Sequence, residues 1–450
     1  MMSHRAGRVS RAALASSLVL VSLTFLVLVP VARAASGDPA WQVAYNGTGN
    51  GLDMFSGAAP APSGGVFVVG TTTTSSSEDL LAARYGAGGT PLWSDTYDGP
   101  SHLDDLASAA TTDRRGDLIV VGQSSISTTD TATIIAKYSS GGVRRWVRLF
   151  DDPGGPSSAN GVAVDRAGDI YVLGGRFTSA SGDDLIVLKY STSGHLRWRR
   201  IFSRPANDGG AGIATDAAGN VYVTGFTDNP MNGLSKALTV KYDPAGKRIW
   251  LRLWNGVGGG AEGDALVVSP AGTVYVAGSL ESNRADAVVL KYTSRGVLQW
   301  WRSRNGTGNL DDDYDSVALA PGGDVVATGL LNDGATGNDV VVTRLAPSGR
   351  TRWVRTYNGP DSLDDEGDRV SVAQSGAIYV AGDSKGATTA LDTVTLKYGA
   401  HGKPAWAQRY TSAGATYDFP TALVVRRGAV YVAGEAGSNS GDALLLKYVP

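Results

Sequence analysis

The chain has 450 residues with 60 Gly, 18 Pro and no Cys, is 18% charged and 42% hydrophobic, and carries a formal net charge of -2. So many turn formers exclude a coiled coil or a helical bundle. The missing Cys excludes disulfide scaffolds, thiolate metal sites, thiol nucleophiles and Cys-borne lipid, and four His leave little for imidazole chemistry.

Residues 1–12 hold Arg5, Arg8 and Arg11 without an acid, followed by an apolar run from Ala13 to Val31 and then Ala32-Arg33-Ala34. That order is the one of a secretory signal peptide cleaved after Ala34. Residues 1–34 are therefore expected to be an export signal and 35–450 the mature domain, in an extracellular, cell-surface or periplasmic location. An uncleaved anchor is the alternative, since about twenty apolar residues can span a bilayer; Pro30 and the A-x-A step favour cleavage. No other stretch is apolar enough, so no membrane span is expected after cleavage. The mature chain keeps 36 basic against 42 acidic residues, about -6 in charge, which disfavours a nucleic-acid partner.

The rest is one unit repeated. Trp41, Trp93, Trp146, Trp198, Trp250, Trp300, Trp353 and Trp406 recur every 50 to 53 residues, the mark of a repeat architecture. A basic residue before Tyr recurs with them, from Arg84-Tyr85 and Lys137-Tyr138 to Lys447-Tyr448, with Arg344-Leu345 the break. Two glycines recur eight times each, Gly70 with Gly64 in the first copy and Gly434 with Gly428 in the last.

Within one copy the apolar pattern divides into four runs of strand length, such as GVAVD, DIYVLGG, DLIVLKY and LRWRRIF between Gly161 and Phe202. Gly168 turns the chain between the first two, and Gly194, with Gly89, Gly142, Gly246, Gly296, Gly349 and Gly402 at equivalent places, turns it before the Trp strand. Each unit reads as a four-stranded antiparallel meander. The mature chain opens on a lone fourth strand, Trp41 to Tyr45, and closes on a third, Asp442 to Tyr448, so each end lacks what the other has. The expectation is an all-β, eight-bladed β-propeller, closed when the N-terminal strand completes the last blade. A monomer is expected, with no C-terminal sorting tail beyond the strand ending at Tyr448.

The unit GVAVD-x-x-G-(D/N)-(I/V)-Y-V-x-G followed by L-K-Y-x-x-x-G-x-x-x-W resembles the bacterial β-propeller repeat called SBBP, over essentially all of residues 41 to 448. The resemblance implies a secreted or surface-exposed propeller without a defined biochemical role; its name refers to seven blades, against the eight counted here. A narrower resemblance joins Tyr242 to Trp250 and His401 to Trp406 to the docking element of quinoprotein propellers, which would imply quinone-dependent dehydrogenation, but the paired Cys of many such proteins has no counterpart.

In such a propeller the loops from each fourth strand to the next first strand share one face, where loops on a rigid scaffold carry function. The loop from Asp98 to Asp105 holds His102, Asp104 and Asp105. Three consecutive loops concentrate acid: Glu262 and Asp264; Asp311, Asp312, Asp313 and Asp315; Asp364, Asp365, Glu366 and Asp368. These are read as one acidic sector and a candidate site for Ca²⁺ or a cationic partner, because hard cations need several converging oxygens. A recurring Leu-Asp step (Leu52-Asp53, Leu103-Asp104, Leu310-Asp311, Leu363-Asp364) supports instead a repeated structural loop with a solvated rim. The Arg between two aromatics in the outer strands, as in Trp146 to Phe150, and the basic residue before Tyr are read as blade-to-blade packing. No catalytic or cofactor-binding residue is assigned. The functional reading is a binding module for a protein or carbohydrate partner, the alternative a secreted enzyme, carbohydrate-active or quinone-dependent.

Overall fold

The computed structural model describes residues 36–450 except 75–76, 258, 282–283, 414–416, 427 and 438–440. The expected export signal over 1–34 lies outside the described residues. Among the described residues no helix is long and apolar enough to cross a membrane.

Each repeat folds as the alternation of its runs dictates, into a four-stranded antiparallel sheet whose strands pair in chain order. Gly116, Gly168 and Gly219 take positive φ in the turn between the first two strands. There Asp113, Asp165 and Asp216 each accept backbone N–H groups two and four residues on, so the D-x-x-G signature is an Asx turn. Eight such sheets form, and the eighth is completed by Pro39–Tyr45, which pairs antiparallel with Asp442–Tyr448. The eight-bladed propeller closed by its N-terminal strand is the observed fold.

The core is divided among the blade interfaces. Val66 and Val68 pack toward blade 8, whereas Phe67 and Val69 pack toward blade 2 against Leu118, Val120 and Ile134. Alternate side chains of a strand leave opposite faces, and both faces are buried here, so the second and third strands read as continuous apolar runs. At the outer edge Trp41, Trp93, Trp146, Trp198, Trp250, Trp300 and Trp353 each donate Nε1–H to a carbonyl of the next blade's hairpin turn. The basic residue before Tyr reaches the same carbonyl in several blades: Lys189 and Trp198 share Pro244 O, Lys241 and Trp250 share Ser294 O, and Lys291 and Trp300 share Pro347 O. Arg148, Arg200, Arg252, Arg302 and Arg355 lie over the Trp two residues before them and donate Nε–H to the next blade's turn glycine. All three repeated features hold blade to blade.

Candidate functional site

The first strands of successive blades touch one another all round the ring, including Tyr417–Arg426 of blade 8 against Asp53–Pro60 of blade 1, and so line the central axis. Seven of the eight carry a β-bulge near their start, for example between Phe55 and Gly57, Ala159 and Gly161, or Pro420 and Ala422. The bulge drives a backbone carbonyl toward the repeated glycine of the second strand: a Cβ at Gly70 would meet Met54 O at 1.8 Å and one at Gly225 would meet Gly209 O at 1.9 Å. Bulges re-aim side chains, and here four consecutive positions at the head of the first strand acquire separate roles.

The first position is Asp in six blades: Asp53, Asp105, Asp208, Asp312, Asp365 and Asp418, all 0–1% exposed. Each accepts a backbone N–H from the preceding loop, at Gly47, Gly99, Arg204, Gly306, Gly359 and Ser412. Each also stands near an Asp at the head of the previous blade's third strand. Burial raises these carboxyl pKa values first, and the neighbour's charge adds to it: Asp79 on Asp105, Asp184 on Asp208, Asp286 on Asp312 and Asp392 on Asp418. Asp365 acts likewise on Asp339, and Asp53 on Asp442. The two blades whose first position is Ser157 or Ala261 have Ala132 and Lys236 at the facing place instead, so the acids occur as pairs or not at all. One residue earlier, Asp104, Asp311 and Asp364 each accept the N–H that opens the previous blade's third strand, at Glu78, Ala285 and Asn338. The Leu-Asp step thus has two registers, since Asp53 occupies the first position and the other three Asp precede it.

The acidic sector read from sequence therefore separates. Asp312 and Asp365 are buried loop clamps, and Asp311 and Asp364 are exposed ties between blades. The second and fourth positions share a strand face and are half-buried in the three acidic blades, where Glu262 and Asp264, Asp313 and Asp315, and Glu366 and Asp368 come together. Burial, then mutual repulsion, pushes Asp264 up to about 7, with Glu262 and Asp315 as its charged neighbours. Asp313 is pushed up to about 8 by burial and by Asp264, Glu366 and Glu262. Asp315 also reaches about 8, through burial, Asp313 and Glu366, with Arg369 acting in the opposite direction. Asp368 lies well above the usual carboxylate range for the same reasons.

Three of the other blades use the fourth position as a hydrogen donor. Ser56 donates to Ala107 O, Asn160 to Gly210 O and Thr421 to Phe55 O, each time the third-position carbonyl of the next blade. Asp264, Asp315 and Asp368 occupy that donor position, yet an ionised carboxylate has no hydrogen to give. Asp264 Oδ2 and Asp315 Oδ2 are shielded from water and have no hydrogen-bond partner among the described residues. The position calls for a proton or a cation.

Asp383 completes the cluster and was not assigned from sequence. It pairs in register with Glu366 from the second strand of blade 7, and burial with Glu366 and Asp365 pushes it up to about 7. Its signal is its place directly after the repeated glycine Gly382, which puts it beside the second position of the same blade. His102 stands outside the cluster, exposed, with Nδ1 2.7 Å from Asp98 Oδ2.

The β-propeller repeat model named SBBP matches residues 197–230, a span running from the Trp198 strand into the second strand of blade 4. The chain is an SBBP-type β-propeller protein. No curated protein matches this SBBP propeller significantly. Among solved structures it is similar to Sqt1 from Chaetomium thermophilum, with a TM-score of 0.57 at 13% identity over 90% of this chain and 98% of that one. A protein of unknown function from Dyadobacter fermentans gives 0.40 at 14% identity over 64% and 93% of the two chains. A gluconolactonase from Xanthomonas campestris gives 0.34 at 13% over 71% and 90%. At these identities the likeness to Sqt1 is one of fold.

Proposed function

We propose that this protein is an exported binding module whose channel wall, acidic over blades 5 to 7, takes a divalent cation or a cationic group of a protein or carbohydrate partner. The observation that carries this reading is the placement of Asp264, Asp315 and Asp368 where three other blades use a hydrogen donor, with two of their oxygens unpartnered among the described residues. A cation supplies the missing positive charge, and oxygen-only donors suit Ca²⁺. Export rests on the leader pattern of residues 1–34.

The test is thermal unfolding in EDTA and in millimolar Ca²⁺, since a ligand that binds only the folded state raises the midpoint. The expected result is a rise of several degrees that Asp313→Asn with Asp368→Asn reduces; an equal rise in that double variant overturns the reading. Asp312 and Asp365 do not serve for this test, because their loss opens the loops they clamp. A second reading, a secreted carbohydrate-active enzyme, is favoured by carboxyls held near 7 to 8, the range suited to general acid–base work. Product release from a polysaccharide panel, lost in Asp313→Asn, separates it from simple binding.

A further inference from the structure

At six blade interfaces two Asp face each other, both buried at four of them, and the interface between blades 1 and 2 adds a third carboxylate. Asp79, Asp98 and Asp105 each bring one carboxylate oxygen within 4.8 Å of the others. Asp98 is the residue that follows the fourth strand, Pro91–Tyr97. The equivalent residue at the other five paired interfaces is Asn46, Ser203, Asn305, Asn358 or Thr411, so only here does the pair gain a charge. Two of the other pairs have a guanidinium to balance them: Arg176 lies 3.1 Å from Asp184 and Arg409 lies 2.6 Å from Asp392. Among the described residues no Lys or Arg pairs with Asp79, Asp98 or Asp105.

The donors are built rather than scattered. Asp105 is 1% exposed and Asp79 is 3% exposed. Asp105 Oδ2 receives the Gly99 N–H, while Oδ1 is closed off from water with only the Ser124 hydroxyl beside it. Asp79 Oδ1 is steadied by the Ser77 hydroxyl at 3.0 Å. Asp98 is the solvent-facing member, fixed by His102 at 2.7 Å. Oxygens up to 4.8 Å apart fit around one ion with bonds of about 2.3–2.6 Å, longer than the roughly 2.0–2.1 Å that Mg²⁺ demands.

We propose that Asp79, Asp98 and Asp105 form a Ca²⁺ site that clamps blade 1 to blade 2, distinct from the channel cluster. The ion takes one oxygen from each carboxylate and water on the exposed side of Asp98, and it joins the third strand of one blade to the first strand of the next.

The experiment is calorimetric titration of the metal-stripped full chain with Ca²⁺ and, separately, Mg²⁺, on the wild type, Asp98→Asn and the channel variant Asp313→Asn. Asp98 is exposed, so its variant is expected to unfold in EDTA at the wild-type midpoint. The expected result is a Ca²⁺ event weakened at least tenfold in Asp98→Asn, kept in Asp313→Asn, and weaker with Mg²⁺. Ca²⁺ binding that Asp98→Asn leaves unchanged overturns the proposal, as does no Ca²⁺ event at millimolar concentration. An event lost in Asp313→Asn alone would sustain the channel reading and sink this one.

Discussion

Gly37, at a φ of +100°, lies against the Trp406 ring so closely that a Cβ there would come within 2.7 Å of Cγ. The same relation joins each hairpin glycine to the Trp of the preceding blade, as at Gly89 with Trp41, Gly194 with Trp146 and Gly402 with Trp353. At Trp406 there is no hairpin, because the two chain ends meet there; the Gly37 N–H donates to Val449 O at 2.9 Å. Ring closure reproduces the glycine-on-tryptophan packing of the other interfaces, while Trp406 Nε1 is buried and without an acceptor among the described residues.

Gly37→Val is therefore expected to weaken the closure that holds the ring. A β-branched residue at positive φ costs on the order of 1–3 kcal/mol, and the clash with Trp406 adds to it. Guanidinium unfolding should show an earlier midpoint for Gly37→Val, against little change for Gly88→Val, whose added Cβ meets nothing within 4 Å. Equal midpoints for the two variants would mean that the terminal strand contributes little to closure.

Gly225→Ala tests the bulge that shapes the channel wall. Its Cβ would sit 1.9 Å from Gly209 O, a backbone atom that cannot swing away. The expected loss exceeds about 3 kcal/mol, in the range reserved for severe core defects, and should appear as a large drop in the urea midpoint or in insoluble expression. A mild effect would show that the first strand can shift outward.

The architecture was legible because the sequence repeats it eight times. Trp, Lys-Tyr and the two glycines each mark a contact that every blade makes, and repetition separates such contacts from chance. The acidic sector was legible only as a neighbourhood. Asp312 and Asp313 are adjacent in sequence, yet strand alternation sends one into a buried loop clamp and the other to the half-buried face of the cluster. Composition cannot divide them, but alignment of the copies can: Asp312 shares its column with Asp53 and Asp105, whereas Asp313 shares its column with Met54 and Leu106. Asp383 escaped notice because its column, which includes Thr71 and Gln123, is acidic only in blades 7 and 8. Asp79 and Asp98 escaped because they meet Asp105 only across a blade interface.

Lys137 is 2% exposed and lies 2.8 Å from Asp113 and 3.6 Å from Asp117. Lys137→Met keeps the packing and leaves two buried carboxylates without that charge, a change that costs about 3–5 kcal/mol where a buried pair is broken. Burial alone would raise the Asp113 pKa, but the Lys137 hydrogen bond and backbone N–H groups outweigh it and hold it below its ordinary value. A group with a lowered folded pKa gives stability above its unfolded value and loses it as pH falls through the folded one. The Lys137→Met penalty should thus be largest near pH 7 and shrink toward pH 3, as read from urea midpoints across that range. A penalty that stayed constant with pH would point to lost packing instead.

The cluster of blades 5 to 7 gives the opposite sign. Asp264 at about 7 and Asp313 and Asp315 at about 8 bind protons more tightly in the folded chain than in the unfolded one, whose carboxyls titrate near 4. Their contribution is full below about pH 4 and declines as pH rises through 7 and 8, because the folded state holds the extra protons. In EDTA the wild type should therefore lose unfolding midpoint between pH 6 and pH 9 more steeply than Asp313→Asn, which removes one titrating charge and eases its neighbours. Saturating Ca²⁺ replaces the protons and should flatten the wild-type slope, with the midpoint gained from Ca²⁺ growing as pH increases. Parallel slopes in wild type and Asp313→Asn would show that these carboxyls ionise as ordinary solvated groups, and the demand for a cation in the channel would vanish with them.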